Sequence, residues 1–224
     1  MNGSNPNQRT LLSRIAVSSF LVGILALAAC SKDTTRPVAP DTISATVTSS
    51  QAQDLKPNGD WSNTLSMPWE PLSASYPSSN PWGMWAQVDE DIPNDDTDYM
   101  WRNHSGDPAV TVAVLDLTDP IGTPSASQIA TLKVRWKVLG SYSTTTPMPT
   151  LLNYALYEGT RRIGGTSVMP SGGYVTGSYS LGQVGNLGIT NWSALRIRLE
   201  AILKPANSWE QIQARVTWAR LEIR

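Results

Sequence analysis

Ile129-Ala130-Thr131-Leu132-Lys133-Val134-Arg135-Trp136-Lys137-Val138-Leu139 alternates apolar and polar residues almost without a break. Leu132, Val134, Trp136 and Val138 share one parity, and Lys133, Arg135 and Lys137 share the other. A strand sends successive side chains to opposite faces, so this stretch has one apolar and one charged face, whereas a helix would scatter the three cations around its axis. It is a half-buried β-strand, and the same period recurs on both sides of it. In Ala109 to Leu117, Val110, Val112 and Val114 alternate with small or polar residues, and Leu151 to Glu158 turns through Gly159-Thr160 into Arg162 to Val168 as a hairpin. Tyr174 to Leu181 is a further strand inside a glycine-rich run, and Asn191-Trp192-Ser193 reads as one helical turn. Leu195, Ile197, Leu199, Ala201 and Leu203 alternate with Arg196, Arg198 and Glu200 before Pro205 ends the run. Ile212, Ala214, Val216 and Trp218 alternate likewise, but Leu221 and Ile223 carry apolar character on the other parity, which predicts a bulge near Ala219. With Trp82 to Val88 as a short opening strand and no sustained period of 3.6, the chain reads as all-β, an antiparallel β-sandwich of about eight or nine strands.

Outward from this domain the composition changes. From Ser31 to Asn80, 22 of 50 residues are Pro, Ser or Thr with no apolar period, which predicts a disordered linker over 30–80 and a domain over 81–224. Trp61 and Trp69 interrupt that composition, and either dock part of the segment onto the domain or lie exposed in it. Upstream, Arg9 and Arg14 precede a fifteen-residue apolar run from Ile15 to Ala29, too short to span a bilayer. The run closes on Leu27-Ala28-Ala29-Cys30, which contains the only cysteine.

That closing tetrad resembles the lipobox of bacterial lipoproteins. The resemblance implies a signal peptide over 1–29, cleavage before Cys30, acylation of its sulfur and a membrane anchor; Ser31 after the cysteine resembles the outer-membrane class. The expected location is thus the cell envelope, lipid-anchored at the outer membrane or cell surface. With Cys30 committed to lipid, no thiol remains for redox chemistry, disulfides or metal ligation. After cleavage 15 basic and 18 acidic residues remain, a formal charge of −3 that gives no support to nucleic-acid binding.

The domain itself resembles a jelly-roll-like module that recurs in bacterial surface proteins and phage particles. The likeness is carried by Asp89-Glu90, Asp95-Asp96-Thr97-Asp98-Tyr99, Leu156-Tyr157-Glu158-Gly159-Thr160, Leu195-Arg196-Ile197-Arg198 and Arg215-Val216-Thr217-Trp218, and spans roughly Pro81 to Arg224. It implies a sandwich shaped like carbohydrate-binding modules, with no catalytic residues to carry over.

Several groups are candidates for chemistry. Asp89, Asp91, Asp95, Asp96 and Asp98, with Glu90 among them, offer hard oxygen ligands for Ca²⁺, although their spacing is not that of an EF-hand; the competing reading is an acidic turn whose aspartates cap backbone N–H groups. Trp82, Trp85, Trp101 and Trp192, together with Trp209, could present flat platforms to sugar rings, or fill the core as the parity of Trp136 and Trp218 indicates for those two. A glycoside hydrolase needs two carboxylates across a cleft, and neither Glu158 nor Glu200 has an evident mate. His104, the only histidine, is expected on a surface loop. Lys133, Arg135 and Lys137, if beside Arg196 and Arg198, would form a basic face needing acidic partners or an anionic polymer. The expected function is a non-enzymatic, lipid-anchored surface interaction or structural module, the alternatives being a carbohydrate-binding module or, least favoured, a glycosidase. Expected partners are the membrane, surface polysaccharide or other surface proteins, with no cofactor beyond calcium.

Overall fold

The computed structural model describes residues 48–63, 69–71, 83–93, 95, 98–145 and 148–224. Its strands are β1 (Thr48–Ser49), β2 (Gln53–Leu55), β3 (Pro57–Asn63), β4 (Glu70–Pro71), β5 (Met100–Ser105), β6 (Ala109–Leu117), β7 (Thr123–Pro124), β8 (Ile129–Leu139), β9 (Leu151–Glu158), β10 (Arg161–Val168), β11 (Val175–Gln183), β12 (Leu195–Leu203) and β13 (Gln211–Ile223). Five strands pair in the order β10-β9-β12-β6-β3. A second sheet runs β11-β8-β13-β5-β4, with β2 also on β13. Every pairing in these two sheets is antiparallel. Apart from the β9–β10 hairpin, long strands that follow one another in the chain lie in different sheets, the jelly-roll-like habit of a β-sandwich.

The alternating sequences make this architecture by supplying one shared core. Leu132, Val134 and Trp136 of β8 and Ile197, Leu199 and Ala201 of β12 are fully buried and belong to one apolar cluster drawn from both sheets. Each such Val, Leu or Ile contributes about 1.5–3 kcal/mol of transfer free energy. Among the described residues, nine strands have six or more residues, in keeping with the eight or nine expected.

Several expectations need correction. The segment read as linker up to Asn80 contributes β1 to β4; Leu55 and Trp69 are buried in the common core, so the folded domain begins by Thr48, not at Pro81. Polar composition concealed strands that are short or lie at sheet edges, where one apolar side chain suffices. The expected strand Trp82 to Val88 is replaced by a 3-10 turn over Trp85–Gln87. The Asp60 carboxylate explains it, accepting successive backbone N–H groups from Gly83, Met84 (3.1 Å) and Trp85 (3.0 Å), which curls that backbone away from an extended form. In β6 the faces are the reverse of the valine reading: Thr111, Ala113, Leu115 and Leu117 point inward, and Val110, Val112 and Val114 lie on the outer face. His104 lies in β5, not in a loop. The bulge in β13 falls between Val216 and Trp218, two residues before Ala219. It turns Ala219, Leu221 and Ile223 inward and leaves Trp218 outside the core, where its Nε1 donates to the Glu90 carbonyl (3.0 Å).

A chain beginning at Pro81 loses Leu55 and Trp69, buried side chains whose truncation alone costs about 2–5 kcal/mol each, together with the strands that cover β6 and one flank of β13. Thermal denaturation followed by circular dichroism should show a cooperative transition for a chain beginning at Thr48 and none for one beginning at Pro81. Equal melting temperatures would contradict this assignment of the domain start.

Candidate functional site

The outer face of the five-stranded sheet carries a trough running across its strands. Strand register sets its rows. Arg162, Tyr157, Arg196 and Asp116 align on β10, β9, β12 and β6; Gly165, Ala155, Arg198, Val114 and Ser62 form the next row; Ser167, Asn153, Glu200 and Val112 form the third. The middle row is the floor. Ala155 has outward parity yet is only 7% exposed, because it lies at the bottom between taller side chains. A Cβ on Gly165 would come within 2.5 Å of Ala155 and 2.4 Å of the Tyr154 carbonyl, so the floor there admits no side chain. Two depressions of about 310 and 290 Å³ lie along this floor, and both are lined by Tyr157 and Arg198. They form one trough spanning five strands, about 19 Å at the usual strand spacing.

Both edge strands of the sheet carry a bulge at the level of the trough. In β10 the register shifts between Arg162 and Gly164; the extra residue, Ile163, packs on the core, and Arg162 and Ser167 share the outer face although their numbers differ in parity. In β3 the shift between Asp60 and Ser62 frees Trp61, which is 56% exposed. Bulges of this kind re-aim side chains. Trp61 lies over the Arg196 guanidinium, 3.4 Å from its ring centroid, and Arg196 is held in turn by Asp116 (2.7 Å). One face of the indole is thus braced by a cation.

The third row is a connected polar relay. Ser167 Oγ donates to Asn153 Oδ1 (2.6 Å), Asn153 Nδ2 donates to Glu200 Oε1 (3.1 Å), and Arg198 Nη2 donates to Glu200 Oε2 (2.6 Å). The Arg198 guanidinium, helped by Asn153, holds the Glu200 carboxyl below its usual range against the opposing effect of burial. Glu200 is therefore an ionised acceptor in a fixed position.

One end of the trough is buttressed by Glu158, whose side chain is 10% exposed. Its Oε1 accepts from the Thr190 backbone (2.8 Å), the Thr190 hydroxyl (2.7 Å) and the Asn191 backbone (2.6 Å), and Arg161 pairs with Oε2. Arg161 also donates to the Leu187 and Gly188 carbonyls (3.2 and 2.8 Å). These donors, Arg161 first, bring the Glu158 carboxyl down to about 2.

The acidic segment lies elsewhere, across the outer face of the six-stranded sheet. Asp95 binds Arg135 through both carboxylate oxygens (2.5 and 2.8 Å), and Asp91 pairs with Lys56 (2.7 Å) while its carbonyl accepts from Arg220. Asp89 is pushed up by burial, and Glu90 rises to about 7 from burial and its contact with Asp98. Among the described residues no three ligating side chains converge on one point; Asp96 lies outside them. The basic stripe is likewise accounted for. Lys133, Arg135 and Lys137 belong to a different sheet from Arg196 and Arg198, so the two sets face opposite sides and do not form one surface. Lys133 pairs with Glu222 (2.8 Å), and Arg135 and Lys137 lie over the Tyr174 ring.

Among the described residues, the tryptophans named from sequence as platforms do not line the trough. Trp85 is half-buried against the core, Trp101 is half-buried on β5, and Trp192 walls two depressions among the loops at one end of the sandwich. Trp209 is 80% exposed between β12 and β13. Trp82 and Cys30 lie outside the described residues. The trough's aromatics, Trp61 and Tyr157, were missed as a pair: Trp61 sat in an apparent linker, though a tryptophan after Asn58-Gly59-Asp60 in a Ser/Thr-rich run was itself a sign of docking.

No family model matches the chain, and no curated protein is detectably similar. Solved structures align at low identity. A carbohydrate-binding module, CBM4, aligns at 8% identity and a TM-score of 0.38, covering 60% of this chain and 90% of its own. A cyclase from Fischerella sp. TAU in complex with 4-(1H-indol-3-yl)butan-2-one aligns at 12% identity and 0.33, over 62% and 80%. An apo-form cyclase from Fischerella sp. aligns at 10% and 0.35, over 79% and 98%. TM-scores this low leave ligand and chemistry to the residues of the trough.

The Glu158 cluster makes stability pH-dependent. A carboxyl whose folded value is depressed stabilises the fold above its unfolded value near 4.5, and that contribution is lost as pH falls through about 2. Glu158→Gln should cost about 1.5–3 kcal/mol at neutral pH, the range for hydrogen bonds to a charged group. Urea melts across the acid range should show this difference shrinking toward pH 2; a gap independent of pH would contradict it.

Proposed function

We propose that this chain is a non-catalytic module that binds a carbohydrate chain along the trough of the five-stranded sheet, tethered to the cell envelope through lipid on Cys30. The observation that carries the binding reading is the pair of adjoining depressions that make the trough, with aromatic faces on one wall and a preset donor–acceptor relay on the other. A pyranose ring has an apolar face and a rim of hydroxyls that both donate and accept. Trp61 and Tyr157 suit the face. Asn153, Glu200 and Arg198 suit the rim, since between them they offer amide and guanidinium donors beside a charged acceptor. Because the relay is already bonded, little side-chain entropy is lost on binding.

Chemistry on the sugar is disfavoured by the placement of the carboxylates. Asp116 lies one row beyond the floor from Arg198 and is bound to Arg196, while Glu200 lies beyond the floor on the other side. Four residues of strand separate their rows, about 13 Å along the strands, and each carboxylate is taken up by its own guanidinium. Glu200 is also held ionised, the wrong state for a general acid. For the anchor, the support is the tetrad ending in Cys30 and the cationic, apolar run before it.

A soluble oligosaccharide array followed by calorimetry tests the binding. Trp61→Ala and Glu200→Ala should each weaken the best ligand by about tenfold or more, that is about 1.4 kcal/mol, with melting temperature little changed for Trp61→Ala. Unaltered affinity in both variants would remove the trough as the site. For the anchor, Cys30→Ala should move the protein from the membrane to the soluble fraction; retention in the membrane would argue against lipidation.

A further inference from the structure

Arg198 and Arg196 each have a carboxylate of their own in or beside the trough, Glu200 and Asp116. Arg162 differs. It is exposed at the β10 end, donates to the Gly165 carbonyl (3.1 Å), and forms no ion pair among the described residues. The β10 bulge places it there, on the same face as Ser167 and directly beside Tyr157. Next to it the floor is Gly165 and Ala155, where no long side chain rises from the sheet. The result is an open pocket sized by a missing side chain, with an aromatic ring on one side and a guanidinium fork without a counter-charge at its rim.

We infer that this end of the trough takes an acidic sugar, a hexuronate unit whose carboxylate is bound by Arg162 while its ring lies over Gly165 and Ala155 against Tyr157. The inference rests on the carbohydrate reading above and adds the class of saccharide. A guanidinium presents parallel N–H groups that match a carboxylate in bidentate fashion, and charge-assisted bonds of this kind are roughly twice as strong as neutral ones. The bond to Gly165 uses Nη2 and holds the fork across the pocket mouth. The other two cations do not compete for the ligand's charge, because Glu200 and Asp116 already neutralise them.

Calorimetric titration of the protein with a uronic-acid tetrasaccharide and with its carboxyl-reduced, neutral counterpart separates the possibilities. The acidic form should bind about tenfold more tightly at low salt, with the advantage falling as salt is raised. Arg162→Gln should remove that advantage while leaving the neutral form within about twofold, and Arg162→Lys should restore only part of it, because a point charge lacks the fork. Arg162 is exposed, so an unchanged melting temperature verifies that each variant is folded. Equal binding of the two saccharides overturns the acidic preference and leaves the carbohydrate reading standing, as does an acidic preference that survives in Arg162→Gln. Binding of neither saccharide, with a neutral oligosaccharide array also blank, overturns both.

Discussion

Leu132, Val134 and Trp136 on one sheet must meet Ile197, Leu199 and Ala201 on the other across a single apolar layer, and a strand's period of two then commits every second residue to that layer. The intervening positions are forced outward, on opposite sides of the molecule. The two outer faces have been put to different ends. That of the six-stranded sheet is closed over by its own acidic segment, which supplies Asp91 and Asp95 to Lys56 and Arg135 and a carbonyl to Trp218. That of the five-stranded sheet is left open, and its floor is lowered by Gly165 and Ala155.

Departures from strict alternation are where the open face acquires its character. A regular strand could not put Arg162 and Ser167 on one side, nor bring the adjacent Trp61 and Ser62 out on the same face. Each is delivered by one extra residue in an edge strand, where the ladder is paired on only one side and a bulge costs least. Asp60 serves both levels: its carboxylate caps the turn at Gly83 to Trp85, and its inward direction fixes the point from which Trp61 is expelled. The trough is accordingly a product of the edges acting on a regular centre.

How much of this was legible in the sequence follows the same division. The central strands β8, β9 and β12 were readable to the residue, since both their faces impose strong patterns. The β6 faces were misjudged because valines occupy the outer positions and Thr111 and Ala113 the inner ones, so side-chain type pointed the wrong way. Strands β2 to β4 were hidden in Pro/Ser/Thr-rich sequence, where, among the described residues, Leu55 and Trp69 just before β4 are the large apolar side chains that join the core. For the site, Arg198, Glu200 and Tyr157 were visible as outward or turn-adjacent residues, but nothing local indicates that Trp61, about 135 residues earlier than Arg196, would lie on it. The acidic run was conspicuous in sequence for its charge density; its described members mostly serve as counter-ions or lie half-buried beside the six-stranded sheet.

The most direct test of the central claim, that the open face of the five-stranded sheet is the binding surface, is a ¹⁵N-resolved NMR titration of the protein with the tightest-binding oligosaccharide. Binding in the trough shifts the Trp61 indole N–H, the Asn153 side-chain amide and the backbone amides of Ala155 and Gly165 together, along one saturating curve. Saturable shifts confined to the Trp192 loops, to Trp209 or to the six-stranded sheet would contradict it.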